Sequence, residues 1–85
     1  MELEKIKEIV DRFLTDEFEV DGDTISNEKN MKDTLGLDSL DYIDMVVLIE
    51  SNFGVKMGES DFKQAITFED FYQLIQQKID DKVSA

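Results

Sequence analysis

Apolar residues recur at helical spacing in three long stretches of this chain, and no stretch alternates long enough to predict a strand. The first stretch predicts a helix over about Glu2–Leu14. Leu3, Ile6, Val10, Phe13 and Leu14 share one face with Ile9 at its edge, while Lys5, Lys7, Glu8, Asp11 and Arg12 take the solvent side. The second predicts a helix over about Ser39–Phe53. Its apolar residues (Leu40, Ile43, Val46, Val47, Ile49 and Phe53, widened by Met45 and Leu48) cover more than one face, as in a central helix with several neighbours. The third runs over about Phe68–Ile79, with Phe68, Phe71, Tyr72, Ile75 and Ile79 in register.

Polar residues punctuate these helices. Asp38 is the expected N-cap of the second, Asp41 follows three residues later as a weak capping box, and Leu37 is placed to staple onto Tyr42. Gly54 is a natural stop. Thr67 and Asp70 repeat the capping pattern before the last helix, with Ile66 and Phe71 as its staple. Ser60 is expected to cap a short helix over Asp61–Ala65. Between the first two helices lies a long polar connection, Thr15–Leu37, with Gly22 and Asn30 as turn residues. Phe18, Val20, Ile25, Met31, Leu35 and Leu37 are anchors that pack it over the bundle. A connection this long in a small domain is often functional. The fold class read from the pattern is all-α: a four-helix bundle with three longer helices, one short helix and a long first loop. Leu40, Ile43, Val47, Phe53, Phe62, Ala65, Ile66, Phe68, Phe71 and Ile75 are its expected core.

Eighty-five residues make one domain, 1–85, near the lower limit of independent stability. The chain has no cysteine and no histidine. Disulfides, thiolate metal sites, catalytic triads, zinc hydrolases and phosphohistidine relays are therefore disfavoured, and the expectation is no enzyme and no metal site. No apolar run reaches the roughly 20 residues that span a bilayer, and the N-terminus lacks the layout of a signal peptide. A cytoplasmic monomer is expected.

The net charge of −12 opposes nucleic-acid and anionic-membrane binding and favours basic partners. It is uneven. Residues 16–37 and 38–61 carry −5 each, while residues 1–15 and 62–85 carry −1 each. The acidity centres on the start of the second predicted helix. Solubility is one explanation, and a basic docking surface on another protein is the second.

That helix start is Leu35-Gly36-Leu37-Asp38-Ser39-Leu40-Asp41. Aspartate and serine are ordinary helix-start residues, so the triplet alone is weak. Without a histidine, Ser39 has no usual base to make it a nucleophile, and it is better suited to modification by another enzyme. At a helix N-terminus the macrodipole favours an anion by roughly 0.3–1 kcal/mol. Asp38 and Asp41 oppose that locally, so this is no phosphate pocket. Their carboxylates suit a metal or basic groups presented in trans.

The segment resembles the prosthetic-group attachment site of acyl carrier proteins, whose Asp-Ser-Leu motif carries 4′-phosphopantetheine on the serine. The resemblance runs from about Leu3 to Ile79 and includes Met31, Ile43, Asp44, Val47, Glu50 and Phe53. It departs at Thr34, in the absence of proline before the short helix, and at Tyr42, where many fatty-acid carriers have a smaller residue. It implies a carrier without intrinsic catalysis, holding acyl groups as thioesters for fatty-acid, lipid or polyketide synthesis. Ser39 would be the attachment point with Asp38 beside it. Leu40, Asp41, Asp44, Val47 and Glu50 would meet partners. Those partners would be a phosphopantetheinyl transferase that draws on coenzyme A, acyltransferases, ketoacyl synthases and other acyl-processing enzymes with basic surfaces. Such carriers can also open space between helices for cargo.

Three other readings stay open or fail on the residues. An aminoacyl or peptidyl carrier would use the same serine, though such carriers are generally less acidic here. A helical interaction module would carry no prosthetic group. A calcium loop starting at Asp21 would place Ser26 and Lys32 where a glycine and an acid are needed, so it fails.

Overall fold

The computed structural model describes residues 2–36 and 38–84, with backbone alone for Ser39, Glu59, Val83 and Ser84. Five α-helices follow one another: α1 Leu3–Glu17, α2 Met31–Leu35, α3 Ser39–Phe53, α4 Glu59–Gln64 and α5 Phe68–Ser84. Among the described residues there is no strand, only an isolated bridge between Asn30 and Thr67. The all-α class and the three long helices are as the pattern predicts. Two helices run further than expected, α1 by one turn to Glu17 and α5 to Ser84.

The long connection is more ordered than its polarity suggests. It holds a 3₁₀ turn at Gly22–Thr24, with Asp21 accepting the Asp23 N–H, and the five-residue α2, capped by Asn30 on the Asp33 N–H. Its second half is clipped to the start of α5. The N–H of Met31 donates to the Ile66 carbonyl (2.9 Å), that of Phe68 to Lys29 (3.3 Å) and that of Glu69 to Asn27 (3.2 Å). These bonds satisfy backbone donors that a helix start leaves open. They also hold Met31 fully buried.

The core joins α1, α3 and α5, and α4 packs against α5. Ile6, Val10, Phe13 and Leu14 face Phe68, Phe71, Tyr72 and Ile75, and α3 contributes Met45 and Ile49. Val55, Met57, Phe62 of α4 and Ala65 just after it join the same core. One polar tie crosses the α1–α5 seam: the Tyr72 hydroxyl donates to Asp11 Oδ1 at 2.6 Å. Lys7 pairs with the other Asp11 oxygen at 3.4 Å and lies over the Tyr72 ring. Burial first, then this bond and the charge of Asp11, hold the Tyr72 phenol well above its ordinary pKa.

Both ends of α3 are fixed. Its last residue is followed by Gly54 at φ 72°, and Lys82 Nζ of α5 donates to the Gly54 carbonyl at 2.6 Å. A cation is favoured at that end of a helix. A side chain at Gly54 would be strained by the positive φ and would push Lys82 Nζ, 3.0 Å from its Cβ, off the carbonyl it caps. The short helix is capped two residues before the expected Ser60. Gly58 is the N-cap, its N–H donating to Asp61 Oδ2 (2.8 Å), and the same carboxylate oxygen lies 3.3 Å from Lys78 of α5. Ala65 lies just past the helix rather than inside it.

Candidate functional site

Gly36 ends α2 at φ 59°, with its N–H on the Lys32 carbonyl at 2.9 Å. A Cβ there would meet nothing within 4 Å, so the left-handed backbone, and not crowding, is what calls for glycine. The chain then enters α3 through Asp38, whose backbone is extended. Asp38 Oδ1 accepts the Asp41 N–H at 3.0 Å, and Asp41 Oδ2 accepts the Asp38 N–H at 3.3 Å. The weak capping box expected from Asp38 and Asp41 is thus complete, and each carboxylate spends one oxygen on it. Ser39 is the first helical residue. The expected outward direction of its hydroxyl lies outside the described side chains, and the Leu37 half of the expected staple lies outside the described residues.

From this start an unusual face runs along α3. Leu40, Ile43 and Val47 are 71%, 59% and 60% exposed. With Asp44 they occupy i, i+3, i+4 and i+7, which is one side of a helix. Asp44 and Glu50 are exposed and Asp41 is half-buried at the edge. Apolar side chains and carboxylates therefore alternate on one solvent face that begins beside Ser39.

This overturns part of the expected core. The pattern places Leu40, Ile43, Val47 and Ile66 in the core, although the resemblance also turns Leu40 and Val47 toward partners; all four are outward, Ile66 at 59% exposure. The reason is geometric: α3 has more apolar positions than neighbours to cover them. The inward side goes to Met45 and Ile49, with Tyr42, Val46, Leu48 and Phe53 packed around them. Ile66 belongs to the clip, where its carbonyl is used and its side chain is left out. Its staple with buried Phe71 is not supported by that exposure. Ile43 is a face residue that the sequence reading placed only in the core. The apolar excess of α3 was the signal that could have found it.

Tyr42 turns inward near the same end. Its ring lies 5.3 Å from Phe62 of α4, tilted by 56°. Burial pushes its phenol pKa up.

A serine ester of a phosphorylated arm needs a hydroxyl-bearing residue at an approachable position that tolerates negative charge. The first position of α3 lies between exposed Asp38 and exposed Leu40, at the positive end of a fifteen-residue helix. No helix among the described residues is long and apolar enough to cross a membrane.

Comparison with known proteins agrees with this arrangement. The family described as "Phosphopantetheine attachment site" matches residues 4–75. An acyl carrier protein of Thermotoga maritima is 34% identical over 76 residues, 89% of this chain and 94% of its own. One from Solidesulfovibrio magneticus is 32% identical over 88% of this chain and 91% of its own. The acyl carrier protein AcpXL of Mesorhizobium japonicum is 39% identical over 67% of this chain and 61% of its own. Proteins of this family carry a covalently attached 4′-phosphopantetheine and act as carriers rather than catalysts. A bundle of this form, an acidic capped helix opening with Asp-Ser-Leu, and a family match across most of its length together place the chain among the acyl carrier proteins, in the phosphopantetheine-attachment family.

Proposed function

We propose that the 85 residues act as one carrier domain with no catalytic activity of its own, loaded at Ser39 by a phosphopantetheinyl transferase that draws on coenzyme A. When bound, the group supplies a thiol on a long arm that holds acyl groups as thioesters. The chain's own residues bring the partner to that thiol. Asp38 and Asp41 lock the start of α3 through their reciprocal bonds, and their second carboxylate oxygens suit a metal or basic groups held by the transferase. Leu40, Ile43 and Val47 give partners an apolar surface. Asp44 and Glu50 give it negative edges, complementary to basic surfaces on acyltransferases, ketoacyl synthases and other enzymes of fatty-acid or related lipid and polyketide synthesis. Such work belongs in the cytoplasm.

The observation that carries this reading is the α3 face itself: exposed apolar residues interleaved with acids, starting beside the only serine that follows Gly36-Leu37-Asp38. Intact mass after incubation with coenzyme A, magnesium and a transferase tests it. One phosphopantetheine is expected per chain. Ser39→Ala should abolish the addition with helicity nearly unchanged, because alanine suits the first turn of a helix. Addition to Ser39→Ala at Ser26, Ser51, Ser60 or Ser84 would sink the assignment.

A further inference from the structure

The chain reaches Ser39 by way of a helix too short to stand alone. Isolated helices shorter than about 12–15 residues are marginal in water, and α2 has five. Packing holds one side of it. Met31 and Leu35, four residues apart and so on one side, rest on the core, Met31 fully buried and Leu35 partly. The backbone clip fixes its first residue to the approach of α5, with the Met31 N–H on the Ile66 carbonyl at 2.9 Å. Asn30 joins the clip to the helix. Its side-chain oxygen accepts the Asp33 N–H at 3.1 Å, its carbonyl accepts the Thr34 N–H at 3.0 Å, and its backbone bridges to Thr67. Asn30 itself is exposed, so this cap serves α2 without filling the core.

The outer side of α2 presents Lys32 and Asp33, both exposed. It lies close to the attachment residue. Gly36 ends α2 three residues before Ser39, and that length of chain spans at most about 11 Å. A specific interface covers about 800 Å² on each partner, which is a patch roughly 16 Å in radius. An enzyme centred on Ser39 therefore reaches the end of α2 as well. If that segment were loose, ordering it would cost binding free energy at each encounter, whereas a segment ordered beforehand spares that cost.

We propose that Asn30 is a positioning residue for loading: by capping α2 it keeps that helix and Gly36 in the arrangement the transferase meets, and so tightens the encounter without touching the reacting atoms. This rests on Ser39 as the attachment point. The serine itself belongs to α3, whose start is held separately by Asp38 and Asp41. The order of α2 therefore governs binding of the transferase and not the chemical step.

The test compares the full-length wild type with Asn30→Ala, Asn30→Ser and Thr67→Ala. Each is loaded by a phosphopantetheinyl transferase with coenzyme A and magnesium, and intact mass follows the reaction. Hydrogen exchange is read at the Thr34 and Gly36 amides, whose carbonyl partners on Asn30 and Lys32 the substitutions leave in place. In Asn30→Ala these amides should exchange about fivefold faster, the scale of a lost helix cap. The KM for the carrier should rise by about the same factor with kcat unchanged. Asn30→Ser should restore both, because serine caps as well as asparagine. Thr67→Ala removes the cap of α5 instead and controls for lost stability, so its KM should stay at the wild-type value. A wild-type KM in Asn30→Ala overturns the proposal. So does unchanged exchange, which would show that Met31 and the clip hold α2 without the cap. A fall in kcat alone, no rescue by serine, or an equal rise in KM for Thr67→Ala overturns it too. Failure of the wild type to load at Ser39 is a different result and refutes the carrier assignment instead.

Discussion

Helices α3 and α5 are of similar length, fifteen and seventeen residues, and each carries a generous set of large apolar side chains. They treat them in opposite ways. In α5, Phe68, Phe71, Tyr72 and Ile75 are all at most 1% exposed, and charged or amide residues fill the outer side. In α3, Met45 and Ile49 are as deeply buried, yet Leu40, Ile43 and Val47 stand more than half exposed on the far side. Most of the surface of those three is left uncovered by the described residues. A small acidic domain that keeps an apolar stripe in water does so where another surface is meant to cover it. α5 spends its large apolar side chains on folding, while on the proposed function α3 is divided lengthwise between folding and recognition.

The largest effects should separate the two helices cleanly. Phe71→Ala, which hollows the centre of the core, is expected to cost about 3–5 kcal/mol. That is a large share of the stability of a domain this small. Val47→Ala should change the unfolding free energy by no more than about 0.5 kcal/mol. Urea denaturation of both variants checks the pair. Equal losses would mean that the α3 stripe is structural after all.

The α1–α5 seam gives the next prediction. Tyr72→Phe keeps the ring but removes the bond to Asp11, and should cost about 1–2 kcal/mol at neutral pH. The same residue gives stability an alkaline limit. The Tyr72 phenol is held above its ordinary value of 10.0 in the folded chain. The contribution is therefore fully present below about pH 10. Above that, the unfolded chain releases the proton while the folded one keeps it, so stability falls as pH rises. Thermal melts from pH 8 upward should show a decline beginning near pH 10 that is shallower in Tyr72→Phe. An identical slope in both proteins would remove Tyr72 as its source.

Two matching capping boxes sharpen the comparison further. Asp38 and Asp41 close the start of α3, and Thr67 and Asp70 close the start of α5 through bonds of 3.2 Å in both directions. Thr67→Ala should cost about 1 kcal/mol and leave loading of Ser39 unchanged. Asp38→Asn should stay within a few tenths of a kcal/mol, because asparagine caps as well as aspartate. It should nevertheless slow loading, since it removes the charge offered to the transferase. Calorimetry and a loading time course on the two variants read the contrast.

How much of this was legible beforehand follows from which forces act locally. Caps and stops are local: Asp38 with Asp41, Thr67 with Asp70, and Gly54 all act as their residue types and spacing predict. The amphipathic α1 was equally readable, since one clear stripe leaves no choice of inward face. α3 defeated the same reasoning because its apolar residues surround the helix. Spacing alone does not tell which of them meet neighbours: it puts Leu40, Ile43 and Val47 inside, and only the resemblance turns Leu40 and Val47 toward partners. Ile66 failed for another reason. Its place is set by a backbone clip to a segment more than thirty residues earlier, which no periodicity records. The order within the long connection, α2 and the 3₁₀ turn, was hidden behind its polarity for the same reason. At the site, the serine and its flanking acids were visible as a motif, whereas the Tyr42–Phe62 contact depends on where α4 lands.

A smaller effect on stability tests the charged half of the α3 face. Asp44→Lys and Asp80→Lys make the same charge change on two exposed positions, one on α3 and one on α5. Both should fold within about 0.5 kcal/mol of the wild type. Only Asp44→Lys should slow association with the transferase, with a weaker dependence on ionic strength. Equal slowing by both would reduce the role of α3 to net charge.

The most direct measurement is the loading efficiency and unfolding free energy of Leu40→Gln, taken on the same protein. Leu40 is next to Ser39 and 71% exposed, and glutamine matches it in length and helix propensity. If the outer side of α3 exists for recognition, stability should hold within about 0.5 kcal/mol while kcat/KM for loading by the transferase falls about tenfold. A loss of stability on the scale of a core substitution, with loading efficiency unchanged, would contradict the division of α3 into a folding side and a recognition side.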